Sequence, residues 1–258
     1  MTSTLARRAR IARKPAARKP TGYVVWRGPS PYDGAPIVAI VTLKTSNRKT
    51  GHMAQLWILR ADIAPTAAIR AGEDSSICGP CPLRGDGTGK ARACYVVVAQ
   101  APTSIFKAFR AGRYPVATPE FVANLLRGRK IRLGAYGDPA MLPIDVVKAL
   151  IATVKGWTGY SHQWPTISPE WAHIVMASAD TVADRRAARA LGYRSFYVVP
   201  ANTDIAAIPH AVECMATRTR NPLQCADCLA CSGTRGRAAV AVDVVIAAHG
   251  IGARYVNA

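Results

Sequence analysis

The chain has 258 residues, with 34 lysines and arginines against 15 aspartates and glutamates, and seven cysteines. Half of its residues are hydrophobic, which excludes a chain that is disordered throughout. No apolar run of about 18 residues is present, so no membrane span is expected. The basic start is not followed by an apolar segment, so no secretory signal is expected either. A net charge of +19 predicts an anionic partner, with nucleic acid as the first choice.

Positive charge is densest at the start of the chain. Residues 1–20 hold seven basic residues and no acid: Arg7, Arg8, Arg10, Arg13, Lys14, Arg18 and Lys19. They alternate with alanine and proline, which favours a disordered arm over residues 1–21 that binds phosphates. A mitochondrial-type presequence and a merely solvated tail are the other interpretations.

The remainder, residues 22–258, is expected to form a single α/β domain with a cysteine-rich segment at about 210–235. Its predicted elements in chain order are strand 37–43, turn 47–51, strand 55–59, helix 65–71, a cysteine-bearing loop 77–95, helices 103–111 and 119–126, strand 130–135, helix 144–154, strands 157–160 and 173–178, helix 181–191, strand 195–199 and an apolar run 238–248. Alternating strands and helices predict parallel pairing with right-handed crossovers, and short buried strands favour a partial (β/α) barrel.

The cysteines fall into two groups. Cys78, Cys81 and Cys94 form a C-x2-C-x12-C set, and the second group has the pattern C-x10-C-x2-C-x2-C: Cys214, Cys225, Cys228 and Cys231. An odd total without a secretory signal argues against a disulfide framework. Thiolates two residues apart suit zinc or an iron–sulfur cluster, so both groups are predicted to bind metal.

The two groups differ in number of ligands. Four thiolates close a site, which is typical of structural or electron-transfer centres, with His249 as a possible substitute for one cysteine. Three thiolates leave a coordination position open, which catalysis requires. On zinc, the open position of the first group could be closed by His52 or Asp74.

Polar residues follow several predicted strands, where parallel α/β folds carry their sites. Asp138, Tyr160, His162 and Asp180 are the candidate catalytic residues at this edge: carboxylates and a histidine can move protons, and a tyrosine can stack on a base. Each also has a structural interpretation: a turn cap for Asp138, a helix N-cap for Asp180 and a buried hydrogen-bonded position for His162.

A cysteine loop, then Gly137-Asp138-Pro139 after a strand, then barrel-like alternation resembles the radical S-adenosylmethionine enzymes. The resemblance implies that Cys78, Cys81 and Cys94 hold a [4Fe–4S] cluster whose open iron binds S-adenosylmethionine. It also implies that Gly137, Asp138 and Pro139, with Ser178 on a later strand, contact that cofactor, Asp138 standing where the family has Glu.

The order of motifs is also similar to a phage-encoded family, the mycobacteriophage gene-product-88-like proteins, over about residues 37–250. The matching segments are 47–51, 78–82, 93–95, 136–139, 157–164, 176–178 and 225–231. This resemblance implies a shared fold and shared metal loops without supplying an activity.

The leading expectation is therefore a cytoplasmic iron–sulfur enzyme on a partial barrel, acting on nucleic acid or on a nucleotide-derived base. A base-exchanging transglycosylase is the second hypothesis. There Asp138 or Asp180 would attack a sugar, while zinc would be held by Cys225, Cys228, Cys231 and His249. The third hypothesis is a zinc-stabilised nucleic-acid-binding protein without catalysis.

Overall fold

The computed structural model describes residues 19–234 and 242–256, and shows a mixed α/β protein with two five-stranded sheets. Helices lie mainly between strands, and they are α1 (Pro65–Arg70), α2 (Ser75–Cys78), α3 (Ala101–Arg110), α4 (Pro119–Leu125), α5 (Ile144–Ile151), α6 (Val182–Ala190) and α7 (Cys225–Cys228). Among the described residues, no helix is both long and apolar enough to cross a bilayer.

The first sheet has the spatial order β1-β2-β3-β4-β5. Its strands are β1 (Gly22–Pro29), β2 (Pro36–Thr42), β3 (Ala54–Arg60), β4 (Lys130–Tyr136) and β5 (Gly156–Thr158). The first three pair antiparallel, and β3, β4 and β5 pair parallel. Short connections without a helix permit only antiparallel neighbours, whereas the parallel strands are separated by helical segments.

The second sheet is parallel in every pair and has the order β6-β7-β8-β10-β9. Its strands are β6 (Tyr160–Ser161), β7 (Met176–Ala179), β8 (Ser195–Val199), β9 (Ala211–Glu213) and β10 (Asp243–Ala247). A buried ion pair anchors α6 to this sheet, because Arg185 Nη2 lies 2.7 Å from Asp243 Oδ2.

A single residue, Gly159, separates β5 of the first sheet from β6 of the second. Its N–H donates to the carbonyl of Cys231, and its own carbonyl accepts from Met176. A Cβ at this position would lie 3.1 Å from Leu133 and 3.2 Å from Val175, so the tight passage between the sheets favours glycine. The two sheets therefore continue into one another along the chain.

Side chains alternate between the two faces of β3 and β4. Leu56, Ile131 and Leu133 are buried in a hydrophobic cluster with residues of α4 and α5. Gln55 and Arg132 belong to the opposite face, which borders a large cavity. The strands thus divide a packed core from a ligand-sized space.

The predicted elements differ from the structure in three places. Strand β1 was not predicted. The predicted strand 157–160 is interrupted at Gly159, and the strand predicted from residue 173 begins only at Met176. A 3₁₀ turn, Pro169–His173, occupies the preceding residues because Ser168 caps it and Pro169 fixes its first position.

Candidate functional site

Three predicted residues lie together at the carboxyl ends of strands. Asp138 follows β4, His162 follows β6 and Asp180 follows β7. Asp138 accepts hydrogen bonds from the backbone N–H of His162 at 2.8 Å and from the Ser161 hydroxyl at 3.1 Å. Asp138 therefore fixes the backbone that carries His162.

Asp138 is itself fully engaged by the protein. Its second oxygen accepts the Ala140 N–H at 2.9 Å and caps the 3₁₀ turn Pro139–Met141, while its own N–H donates to the carbonyl of Ile77. Burial raises the pKa of the Asp138 carboxyl, and these hydrogen bonds oppose that rise. This geometry makes Asp138 a positioning residue between the cysteine loop and the strand ends.

The turn before Asp138 requires glycine at position 137. Its φ is +80°, and a Cβ there would lie 2.7 Å from the Cβ of Ile58. Gly137 and Pro139 thus shape the turn. Ser178, another predicted cofactor contact, accepts a hydrogen bond from Trp164 Nε1 through its backbone carbonyl at 2.9 Å.

His162 makes two side-chain approaches with the same ring nitrogen. Nε2 lies 3.1 Å from Asp180 Oδ2 and 4.0 Å from Cys81 Sγ. Burial lowers the pKa of His162, but the contacts with Asp180 and Cys81 outweigh it and raise that pKa well above its ordinary value. The predicted N-cap role of Asp180 was wrong, since Thr181 caps α6 in a capping box with Asp184.

The loop cysteines form a trio next to His162. Burial raises the pKa of the Cys78 thiol well above its ordinary value, and negative charge on Cys81 or Cys94 would raise it further. Gln163 Nε2 donates to the Cys78 carbonyl at 3.0 Å, and the Cys94 N–H donates to the Leu83 carbonyl at 2.9 Å. The trio is thereby held against the strand ends by both sides of its loop.

Asp74, a predicted fourth ligand, is committed elsewhere. Its carboxylate is 2.7 Å from Arg84 Nη2 and 2.9 Å from Arg92 Nη1. The other predicted fourth ligand, His52, has an exposed side chain. His162 is the residue that approaches a loop cysteine.

Several buried polar atoms near the trio have no hydrogen-bond partner among the residues that the structure describes. They are Nε and Nη2 of Arg92 and the hydroxyl of Tyr136. Burial is the largest influence on the pKa of both residues, and charge on Cys78 and Cys94 also affects it, so both lie within electrostatic reach of these thiols. Burial raises the pKa of the Cys94 thiol, while Arg92 opposes that rise through its charge and a side-chain hydrogen bond. Unpaired buried donors are rare in folded proteins.

The second cysteine group lies in the other sheet, between β9, β10 and α7. Its four members surround a cavity of about 40 Å³ and are Cys214, Cys225, Cys228 and Cys231. Burial raises the pKa of the Cys231 thiol, and charge on the other three would raise it further. We call this group the tetrad. Its surroundings are apolar, since Cys231 packs with Met176, Phe196, Val244 and Ile246.

A cavity of about 850 Å³ borders the tetrad and contains residues that the sequence reasoning did not select as functional. Arg132, only 7% exposed, lies in its wall and donates to the hydroxyls of Tyr160 at 3.2 Å and Tyr95 at 2.6 Å. Tyr160 therefore faces this cavity with Arg132, rather than joining His162 and Asp180. The signal that could have found Arg132 is a charged residue inside a predicted buried strand.

The other predicted site residues lie as follows. His249 donates through Nδ1 to the Ala247 carbonyl at 3.1 Å, and its ring stacks on Tyr95 with 5.9 Å between centroids. Lys19 is exposed, and the other six basic residues of the arm lie outside the described residues. Within residues 19–234 and 242–256, no group of three or more His, Cys, Asp or Glu side chains has the arrangement of a metal site.

Comparisons with protein-family models, with curated proteins and with solved structures give no match. The two family resemblances stay predictions.

Proposed function

We propose that this protein is an iron–sulfur enzyme that acts on nucleic acid or on a nucleotide-derived base. The proposed reactive centre is held by Cys78, Cys81 and Cys94. One observation carries the proposal: the trio lies at the carboxyl ends of parallel strands, beside a histidine and buried polar atoms without partners. We also propose that the two joined sheets form a partial barrel, whose mouth lies at these carboxyl ends of the strands.

The donor set suits such a cluster by its chemistry, while the side chains of the described residues are not arranged as a metal site. Cysteine thiolates are the usual ligands of iron–sulfur clusters, and three of them leave one iron open to a small molecule such as S-adenosylmethionine. The unpaired N–H groups of Arg92 and the Tyr136 hydroxyl would donate to the sulfides or to the bound molecule. His162, held by Asp180 and by the backbone that Asp138 fixes, would hold a proton at Nε2 beside Cys81.

The tetrad is proposed as a second, structural centre. Four thiols in an apolar setting suit a closed site that contributes to folding. All seven cysteines are free of disulfides, which supports a reducing compartment such as the cytoplasm.

A zinc protein without catalysis is the second candidate, and the approach of His162 to Cys81 favours it. Two ligands of a tetrahedral zinc lie about 3.6 Å apart when its bonds to sulfur and nitrogen have ordinary lengths. The observed 4.0 Å is close to that value, so His162 could close a Cys₃His site. The transglycosylase hypothesis is less well supported, because both oxygens of Asp138 are occupied by hydrogen bonds.

The full chain purified without oxygen tests the choice between iron–sulfur and zinc. We expect a brown protein that contains iron and acid-labile sulfide, and whose iron survives in His162→Ala. A colourless protein that contains zinc, and whose zinc is lost in His162→Ala, would support the zinc hypothesis instead. Incubation with DNA or RNA, S-adenosylmethionine and a reductant, followed by chromatography of the released nucleosides, would then identify the modified base.

Deletion of residues 1–20 tests nucleic acid as the partner. Affinity falls as salt rises, and removing seven basic residues should make the plot of log affinity against log salt less steep, by up to about 6 in slope. An unchanged slope would mean that the arm does not bind phosphates.

A further inference from the structure

The charged residues that line the 850 Å³ cavity are all basic. Lys44, Lys49 and Arg132 border it, and no aspartate or glutamate is found among its described lining residues. Hydroxyl and amide side chains from segment 42–50 and aromatic rings from both sheets make up much of the remainder. A cavity of this size holds a small organic molecule, and its charge selects an anion.

Arg132 gives the strongest evidence that the cavity binds an anion. It is buried, and both hydrogen bonds that it makes go to neutral tyrosine hydroxyls. A guanidinium has five N–H groups, and buried charges are normally paired. Its remaining donors, arranged as a planar fork, match the oxygens of a phosphate or carboxylate.

Aromatic rings flank the guanidinium. The Tyr160 ring lies 5.2 Å from the Arg132 guanidinium carbon and 4.3 Å from the Phe196 ring centre. On the other side of Arg132, Tyr95 stacks on His249. Rings of this kind stack on flat heterocycles, and each base–aromatic contact stabilises binding without selecting one base.

We propose that this cavity binds a nucleoside monophosphate, either free or at the end of a strand, with its phosphate on Arg132 and its base among the aromatic rings. The inference deepens and rests on the proposed function, since a nucleotide belongs to the substrate class of the proposed enzyme. The cavity borders the tetrad rather than the trio, and Tyr95, which follows Cys94 in the chain, lies in its wall. Lys44 and Lys49, both exposed at the rim, would meet further phosphates of a strand.

Arg132 also lies within electrostatic reach of the tetrad, where its charge lowers the pKa of the Cys225 thiol against the effect of burial. A guanidinium that served only as a counter-charge for tetrad thiolates would need no ligand. The two roles differ in a measurable way, because a counter-charge affects metal retention and a ligand-binding residue affects nucleotide affinity.

Calorimetric titration of the full chain tests the inference with adenosine and guanosine monophosphates, the two nucleosides, inorganic phosphate and benzoate as probes. We expect a monophosphate to bind about 10- to 100-fold more tightly than its nucleoside, the range expected for a charge-assisted hydrogen bond. Arg132→Met should remove that difference, and Arg132→Lys should retain part of it. Arg127→Met, which makes the same charge change at an exposed position outside the cavity, should leave affinity unchanged.

Equal affinity for nucleoside and nucleotide, unchanged affinity in Arg132→Met, or benzoate binding as tightly as a nucleotide would each overturn the inference. If Arg132→Met does not fold, the double variant Lys44→Met, Lys49→Met should weaken binding of a short 5′-phosphorylated oligonucleotide, whose further phosphates these lysines would meet, and unchanged affinity would overturn the inference. Metal analysis of the same samples separates the two proposals. Nucleotide binding without any iron would refute only the proposed function, and iron without nucleotide binding would refute only this inference.

Discussion

The two cysteine groups lie in contrasting surroundings. The trio sits in an irregular loop among Arg84, Arg92 and Asp74, next to polar atoms that lack partners. The tetrad is packed against the apolar side chains of Phe196 and Ile246. A polar and incompletely satisfied setting suits a centre that exchanges ligands, whereas an apolar setting suits a centre that holds a fold.

Tyr95 lies between the two groups. Charge on Cys94 and on Cys225 would each raise the pKa of its hydroxyl, although burial is the larger cause. Both groups therefore lie within electrostatic reach of Tyr95, and mutation can show whether they form two centres or one.

The largest effect is expected for Cys228→Ser. The free energy of metal binding contributes to folding, so losing one of four tetrad ligands should lower unfolding free energy by about 4 kcal/mol or more. Denaturant unfolding and metal analysis of the variant measure both effects. A variant with unchanged melting and metal content would mean that the tetrad does not stabilise the fold through metal.

Cys94→Ala should have a smaller effect on stability and a larger one on the reaction. It should empty the trio and abolish activity, while the tetrad keeps its metal because none of its ligands changes. The free energy of unfolding should fall by about 1 to 3 kcal/mol. Retained activity in a folded Cys94→Ala protein would exclude the trio as the reactive centre.

Asp138→Asn tests the positioning role of this carboxylate. The new amide places a donor where His162 and Ser161 donate, and this should cost about 1 to 3 kcal/mol. Asp145→Asn on α5 makes the same change at an exposed site and is the control. Equal urea midpoints for the two variants would show that Asp138 does not anchor the His162 backbone.

The smallest stability change is expected for Tyr136→Phe. Its buried hydroxyl has no partner, so the metal-free protein should change by about 0.5 kcal/mol or less. If the hydroxyl donates to a group on the trio, the variant should hold iron less tightly. A large loss of stability in the metal-free protein would indicate a hydrogen bond within the fold instead.

The fold was predictable where local signals and periodicity agreed. Pro65 and Pro119 mark helix starts, and the buried β-branched run of β2 and the aromatic and valine residues of β8 mark strands. Strand β1 was missed because it follows directly on a basic segment and has one half-exposed end. The break at Gly159 depends on crowding by Leu133 and Val175, which no local pattern contains.

The site was predictable in its residue types more than in its grouping. Asp138, His162 and Asp180 meet because each follows a parallel strand, as expected. The contact of His162 with Cys81 joins residues 81 positions apart, and Arg132 reaches Tyr95 and Tyr160 across 37 and 28 positions. Such pairs are set by sheet order, so they emerge only with the fold.

Metal and sulfide analysis of the anaerobically purified full chain, beside Cys94→Ala and Cys228→Ser, tests whether the seven cysteines form two centres. We expect the wild type to hold iron and sulfide, Cys94→Ala to lose the trio's share alone, and the tetrad's metal to be lost only in Cys228→Ser. Loss of all metal in both variants would contradict this expectation, because the seven cysteines would then form one shared centre.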